Sequence, residues 1–305
     1  MPNQLYPILF MLSSTFSLSL TGLFSKFLSQ HLDTSLFSFL RFSVPALFIM
    51  ILLVGQKWTL PNKQEAVAIW GRALCIAVCQ VCFIYSLQYL SLVESVVLFS
   101  TGPLFIPLLE KLIFSVALSR INLVGLIVTF AGVVMLAGDV SGIEFRPELL
   151  IGLVAGLFNA GSQLSLYRIS QSKLSAWAIN FWTFLFATVL IAPLVAISAT
   201  QQQALYELGD VSMWVLIATM AVLAILIINT QVFRSKAYKL AESGSQLAPL
   251  IFTNLIFTAM WQLMFFDESY NPFQMLGLAL IIGANVCCVI IPKWRKSRTM
   301  RLAKQ

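Results

Sequence analysis

Tyr85-Ser-Leu-Gln-Tyr-Leu-Ser-Leu-Val-Glu94-Ser-Val-Val-Leu-Phe-Ser-Thr-Gly-Pro103-Leu and Ser235-Lys-Ala-Tyr-Lys-Leu-Ala-Glu242-Ser-Gly-Ser-Gln-Leu-Ala-Pro249-Leu follow one pattern. Each stretch ends a helix, turns within a few residues, places a glutamate and a serine at the next helix start, and carries a proline further in. Around them the chain divides into ten apolar runs of about twenty residues, the sixth to tenth reading as a second copy of the first five. Five crossings per copy is an odd number, so the two copies must traverse a membrane in opposite senses. Inverted repeats are the architecture of many secondary carriers, whose solute site lies near the midplane between the halves. The predicted fold is therefore an all-α integral membrane protein with ten transmembrane helices. It is divided into a first five-helix repeat over 1–137, a second over 148–292 and a basic tail over 293–305.

Composition supports the same class. Of 305 residues, 59% are apolar and 10% charged, with a mean hydropathy of +0.89, far more hydrophobic surface than a soluble domain of this length can cover. Each run is long enough to cross about 30 Å of hydrocarbon as a helix. The predicted spans are Leu5–Leu28, Leu36–Val54, Ala66–Leu87, Leu92–Phe114, Ile121–Ala137, Leu150–Tyr167, Ala176–Ile197, Met213–Val232, Gln246–Phe266 and Met275–Ile291. The short alternating strands of a β-barrel are absent from the sequence. Met1–Pro7 lacks the basic segment of a signal peptide, so the first span is expected to remain as a helix.

The basic residues orient the chain. With a cytoplasmic N-terminus, the inner loops and tail hold Lys57, Lys63, Lys111, Arg120, Arg168, Lys173, Arg234, Lys236, Lys239 and the cluster from Lys293 to Lys304, whereas the outer loops hold Lys26 and Arg146. By the positive-inside rule both termini are expected in the cytoplasm, with the chain in the inner (plasma) membrane. The net charge of +7 is then explained by contact with anionic headgroups of the lipid bilayer, and nucleic acid is not an expected partner.

Polar residues inside the spans are the candidates for solute contact. Ser14, Ser17, Thr21 and Ser25 form one stripe of the first helix, and Asn159, Gln163 and Tyr167 form one of the sixth. Together with Gln80, Asn229, Gln246 and Asn254 they line a wet cavity on one reading; on the other they are interhelical hydrogen bonds worth about 0.6 kcal/mol each. Pro103 and Pro249 are expected in helix interiors, freeing the carbonyls of Phe99 and Ser245, either as gating breaks or as plain kinks.

Charges within spans are costly and carry a functional expectation. Arg41, several residues inside the second helix, either attracts an anionic group on a solute or snorkels to the headgroups; Arg72 is expected to snorkel. Glu94 and Glu242 begin helices and are expected to cap them. Glu110, within the fourth span beside Lys111, is the candidate for coupling to protons or is an interfacial ion pair. Cys75, Cys79 and Cys82 share a helix face and are read as packing residues, so no metal site is expected. There is no Gly-x-x-x-x-Gly-Lys-Ser/Thr loop, no Gly-x-Ser-x-Gly elbow and only one histidine, His31, so nucleotide hydrolysis, serine hydrolysis and histidine-based metal or haem sites are excluded and no cofactor is expected.

Several segments resemble the EamA-type repeat of the drug/metabolite transporter superfamily. They are Leu12–Met50 with Phe24-Ser-Lys26 and Phe39-Leu-Arg41-Phe42, the surroundings of Glu94 and Pro103, Gly125–Gly132, and Phe266-Asp-Glu268 followed by Gly277–Gly283. The resemblance covers nearly the whole chain and implies a ten-helix bundle that moves small solutes by alternating access. It also makes a structural role for Arg41 as fitting as a binding one. Two departures stand out: Ser119-Arg120 occupies the place of an acidic residue usual near the end of the fourth helix, and Thr183 falls near the position matching Arg41.

The expected function is secondary-active transport of a small organic metabolite or drug-like solute, with protons as a candidate coupling ion and no enzymatic activity. The alternatives are an integral-membrane enzyme acting on lipid and a passive channel or scaffold.

Overall fold

In the computed structural model the described residues are 5–53, 60–114, 146–200, 211–240, 253–266 and 275–284, with shorter pieces at 124–125, 127–129, 131–132, 135, 250, 271–273 and 286–287. All regular structure among them is helical. The helices are α1 (Leu5–Ser29), α2 (Thr34–Leu52), α3 (Lys63–Tyr89), α4 (Leu92–Phe99), α5 (Gly102–Phe114), α6 (Pro147–Ser170), α7 (Ala176–Thr200), α8 (Met213–Leu240), α9 (Thr253–Phe265) and α10 (Met275–Ala284). Among the described residues α1, α2, α3, α6, α7 and α8 are long and apolar enough to cross a membrane unbroken. The described residues between 124 and 135 are helical and represent the fifth span.

Local chemistry sets the helix starts. Asn62 and Glu65 form a capping box at α3, and Ser91 and Glu94 form another at α4, so Glu94 does cap its helix. Asp33 accepts the Ser35 backbone N–H at the start of α2. Glu242 and Pro249 lie outside the described residues.

The fourth span differs from its predicted form. It is broken at Ser100-Thr101, and Pro103 occupies the first turn of α5 instead of a helix interior. That placement removes the steric conflict, because a first-turn proline lacks only an N–H that had no helical partner.

Packing pairs the two halves across the bundle: α1 lies on α8 and α3 on α6, α2 lies on α7, α1 meets α9, and α4 and α5 meet α6. The fifth span meets α10 at Gly132, where a Cβ would stand 2.7 Å from Ile281 Cγ1 and 2.8 Å from the Gly277 carbonyl. Exchanging spans one to five for six to ten leaves this set of neighbours unchanged, as a pseudo-two-fold axis in the membrane plane requires. The closest approach is made by α6 at the break of the fourth span. A Cβ on Gly156 would lie 2.2 Å from Thr101 Oγ1 and 2.6 Å from the Leu98 carbonyl, and one on Gly152 2.7 Å from Leu98 Cδ1. Small residues four apart let backbones meet where lipid supplies no hydrophobic drive for helix association. Large apolar side chains such as Val67, Trp214, Ile225 and Leu263 face outward, where lipid is their solvent.

Candidate functional site in the bundle centre

A cavity of about 30 Å³ lies between the halves, walled by α1, α2, α3, α4, α6, α7 and α8. Thr21, Arg41, Gln80, Asn159, Ser162, Gln163, Gln231 and Arg234 give it its polar wall, and Phe42, Phe99, Phe184 and Ile227 its apolar one. A second lobe of about 20 Å³ shares Leu18, Thr21, Arg41, Gln80 and Phe99 and adds Asn254. At roughly 10–15 Å³ per water centre, the two lobes hold a few waters and no metabolite.

One polar chain crosses this centre. The break before Pro103 leaves the Phe99 carbonyl outside the helix ladder, and the Asn159 side-chain amide donates to it at 3.3 Å. Gln163 donates to Asn159 Oδ1 at 3.3 Å, and the Tyr238 hydroxyl donates to Gln163 Oε1 at 3.3 Å. All three bonds are long for their kind. Tyr167, the third member of the predicted stripe, does not line the cavity; it sets its ring edge-on to Tyr238 at 5.9 Å.

The first helix uses its stripe differently. Ser14 donates to the Thr230 carbonyl at 2.8 Å, and Ser17 accepts from Asn229, so Ser17 and Asn229 join α1 to α8 outside the lining. Thr21 donates to the Ser17 carbonyl and faces the cavity. Ser25 accepts from Arg41, whose guanidinium also lies 5.9 Å from the centre of the Phe37 ring. Arg41 is buried and lines both lobes, so it does not snorkel.

Three basic residues sit where the sequence did not put them. Arg72, expected to snorkel, is wholly buried and donates to Thr183 Oγ1, Asn180 Oδ1 and Gln231 Oε1, each at 3.1 Å. Acceptors from α7 and α8 replace the water it would otherwise seek. Arg234, assigned to an inner loop, is buried because α8 continues to Leu240, past the predicted end at Val232. Lys26, assigned to an outer loop, is buried and donates to the carbonyls of Leu87 at 2.7 Å and Leu90 at 2.6 Å, closing the C-terminal end of α3. Arg146 remains near the surface and pairs with Glu94 at 3.5 Å.

Ser162, Gln231 and Arg234 are lining residues that sequence reasoning missed. Ile227, Gln231, Arg234 and Tyr238 recur at helical spacing, a stripe that was legible only if the helix was carried past Val232. Gln246 lies outside the described residues, as does the side chain of Glu110, whose backbone belongs to α5. Cys75 packs against α6, its sulfur 2.9 Å from where a Cβ on Gly161 would be.

Comparison with known proteins now places this architecture. The profile of the EamA-like transporter family matches twice, over residues 5–138 and again over 146–290. The chain belongs to the EamA-like transporter family. The two matches follow the two halves that the helix packing relates. Pseudopaline exporter CntI of Pseudomonas aeruginosa, strain UCBPP-PA14, is 23% identical over 289 residues, which cover 95% of this EamA-like chain and 96% of the relative. The counterpart in strain PAO1 matches with the same figures. The uncharacterized transporter YetK of Bacillus subtilis, strain 168, is 22% identical over 284 residues, covering 88% of this chain and 82% of that one. A solved structure covering 96% of each chain superposes with a TM-score of 0.54 at 14% identity, a likeness of fold alone.

Proposed function

We propose that this EamA-like transporter is a secondary carrier whose solute binds in the central cavity and crosses by alternating access. The observation that carries the reading is the cavity itself: it is narrow, polar on one wall, and built from helices of both halves. The break between α4 and α5 borders it through Phe99. A space of about 30 Å³ must widen to admit a metabolite, so a rocking of one half on the other is the motion the mechanism needs. Thr21, Gln80, Asn159, Gln163 and Asn254 are the proposed solute contacts, with Ser17, Asn229 and Gln246 supporting them. The Asn159–Phe99 bond is long enough to open at modest cost, and the amide freed by it can turn to a solute.

The finer parts of the reading follow from the sequence. The repeats span 1–137 and 148–292, and the tail 293–305 lies with the N-terminus in the cytoplasm, in a bacterial inner membrane. Arg41, Pro103 and Pro249 serve gating or structure, and Glu110 couples movement to protons. The chain catalyses no chemical change in its solute. The relatives named as exporters of pseudopaline support outward movement of a small organic metabolite.

Counterflow in proteoliposomes, with labelled metabolites in turn, tests the reading. Exchange of one class of solute without chemical change is expected; conversion of a lipid substrate instead contradicts it. Orientation is tested by labelling an Arg298→Cys variant in a cysteine-free background. Reaction with an impermeant reagent from the periplasmic side of intact cells contradicts cytoplasmic termini.

A further inference from the structure

Two buried arginines, Arg41 and Arg234, line the central cavity, and among the described residues no aspartate or glutamate does. Arg41 has a hydroxyl partner in Ser25 and an aromatic face in Phe37. Arg234 is 2% exposed, and among the described residues its Nε and Nη2 atoms have no hydrogen-bond partner. These two N–H groups share one edge of the guanidinium plane, the edge that takes both oxygens of a carboxylate through parallel bonds. Arg72 shows how the same bundle treats a guanidinium it keeps as scaffold: both of its Nη nitrogens have acceptors and its Nε alone has none, whereas Arg234 lacks partners on Nε and Nη2 together.

A buried charge inside a spanning bundle calls for a partner. We propose that the solute supplies it: the transported compound is an anion carrying a carboxylate, held side-on by Arg234, with Arg41 contributing the second positive charge. The proposal rests on the carrier reading above. Two in-plane donors match two in-plane oxygens; a phosphomonoester, whose third oxygen this fork leaves unserved, is the rival anion.

The test uses the full-length protein purified in detergent. Its thermal unfolding is followed with a panel of carboxylates, namely hydroxy acids, amino acids and di- and tricarboxylates. The neutral amides of the same compounds and a set of phosphomonoesters form the other two arms. At least one carboxylate is expected to raise Tm with its amide inert, and Arg234→Gln is expected to weaken that ligand by tenfold or more. Without ligand, Arg234→Met is expected to melt at or above the wild type and Arg72→Met below it, whereas a scaffold role for Arg234 lowers both. Stabilisation by phosphomonoesters alone, equal stabilisation by acids and amides, an undiminished shift in Arg234→Gln, or no shift with any carboxylate overturns the proposal. Proteoliposome exchange separates the two levels. Exchange restricted to neutral or cationic solutes overturns carboxylate recognition and leaves the carrier intact, whereas a carboxylate shift without exchange of any solute overturns the carrier reading.

Discussion

The stripes on α1 and α6 have the same helical spacing and the same kind of polar side chain, yet the bundle uses them in different ways. On α1, Ser14 and Ser17 spend their hydroxyls on α8, and only Thr21 faces the cavity. On α6, Asn159 and Gln163 lie at the broken fourth span and hold each other, a stranded carbonyl and a tyrosine through bonds of 3.3 Å. Short bonds to a neighbouring helix fasten the scaffold, and long bonds around a cavity leave groups available for a solute. The comparison teaches that periodicity assigns a face and that the neighbour across the face assigns the role.

The largest effect is expected where α6 approaches the break. Gly156→Val puts atoms where Thr101 Oγ1 already stands at 2.2 Å from a Cβ, and backbone contacts leave no room to yield. Overpacking of this kind costs about 1–3 kcal/mol or more, so a lowered Tm and poor insertion are expected. A normal melt in this variant would show that α6 and the fourth span do not meet as described. Next, Asn159→Leu removes the donor to the Phe99 carbonyl and fills the cavity wall; transport is expected to fall by more than tenfold, with a stability loss of about 1 kcal/mol. Gln163→Leu is expected to act in the same direction and less strongly, because it is one bond further from the break. Wild-type transport in both would move the α6 stripe into the same class as that of α1.

Smaller effects sharpen the contrast. Glu110→Gln is expected to retain solute exchange and lose accumulation driven by a pH gradient, measured by uptake with and without an imposed gradient. Undiminished accumulation returns Glu110 to an interfacial role beside Lys111. Ser14→Ala breaks one bond to α8 and is expected to cost about 0.6 kcal/mol with transport unchanged.

Much of this was legible in the sequence. Hydropathy marked the six long spans, the expectation of two copies agrees with the double family match, and Pro103 pointed to a stranded Phe99 carbonyl, which the structure shows. What the sequence hid was long-range partnership. Arg72 reads as a snorkelling cation until Asn180, Thr183 and Gln231, more than a hundred residues away in sequence, are seen around it. Arg234 reads as a loop charge because Phe233–Leu240 carries Arg234, Lys236 and Lys239, which end an apolar window without ending a helix. Lys236 keeps that turn amphipathic by lying 5.8 Å from the Phe10 ring centre and 5.5 Å from that of Phe233.

The claim that the central cavity is the solute path is tested most directly by its access from each side of the membrane. Ser162, buried on the cavity wall, is replaced by cysteine in an otherwise cysteine-free carrier and exposed to an impermeant thiol reagent. The reagent is applied to right-side-out and then to inside-out vesicles. The account predicts labelling from both sides, slowed when a transported solute is present. Labelling from neither side, or from one side only under every gradient, would contradict it.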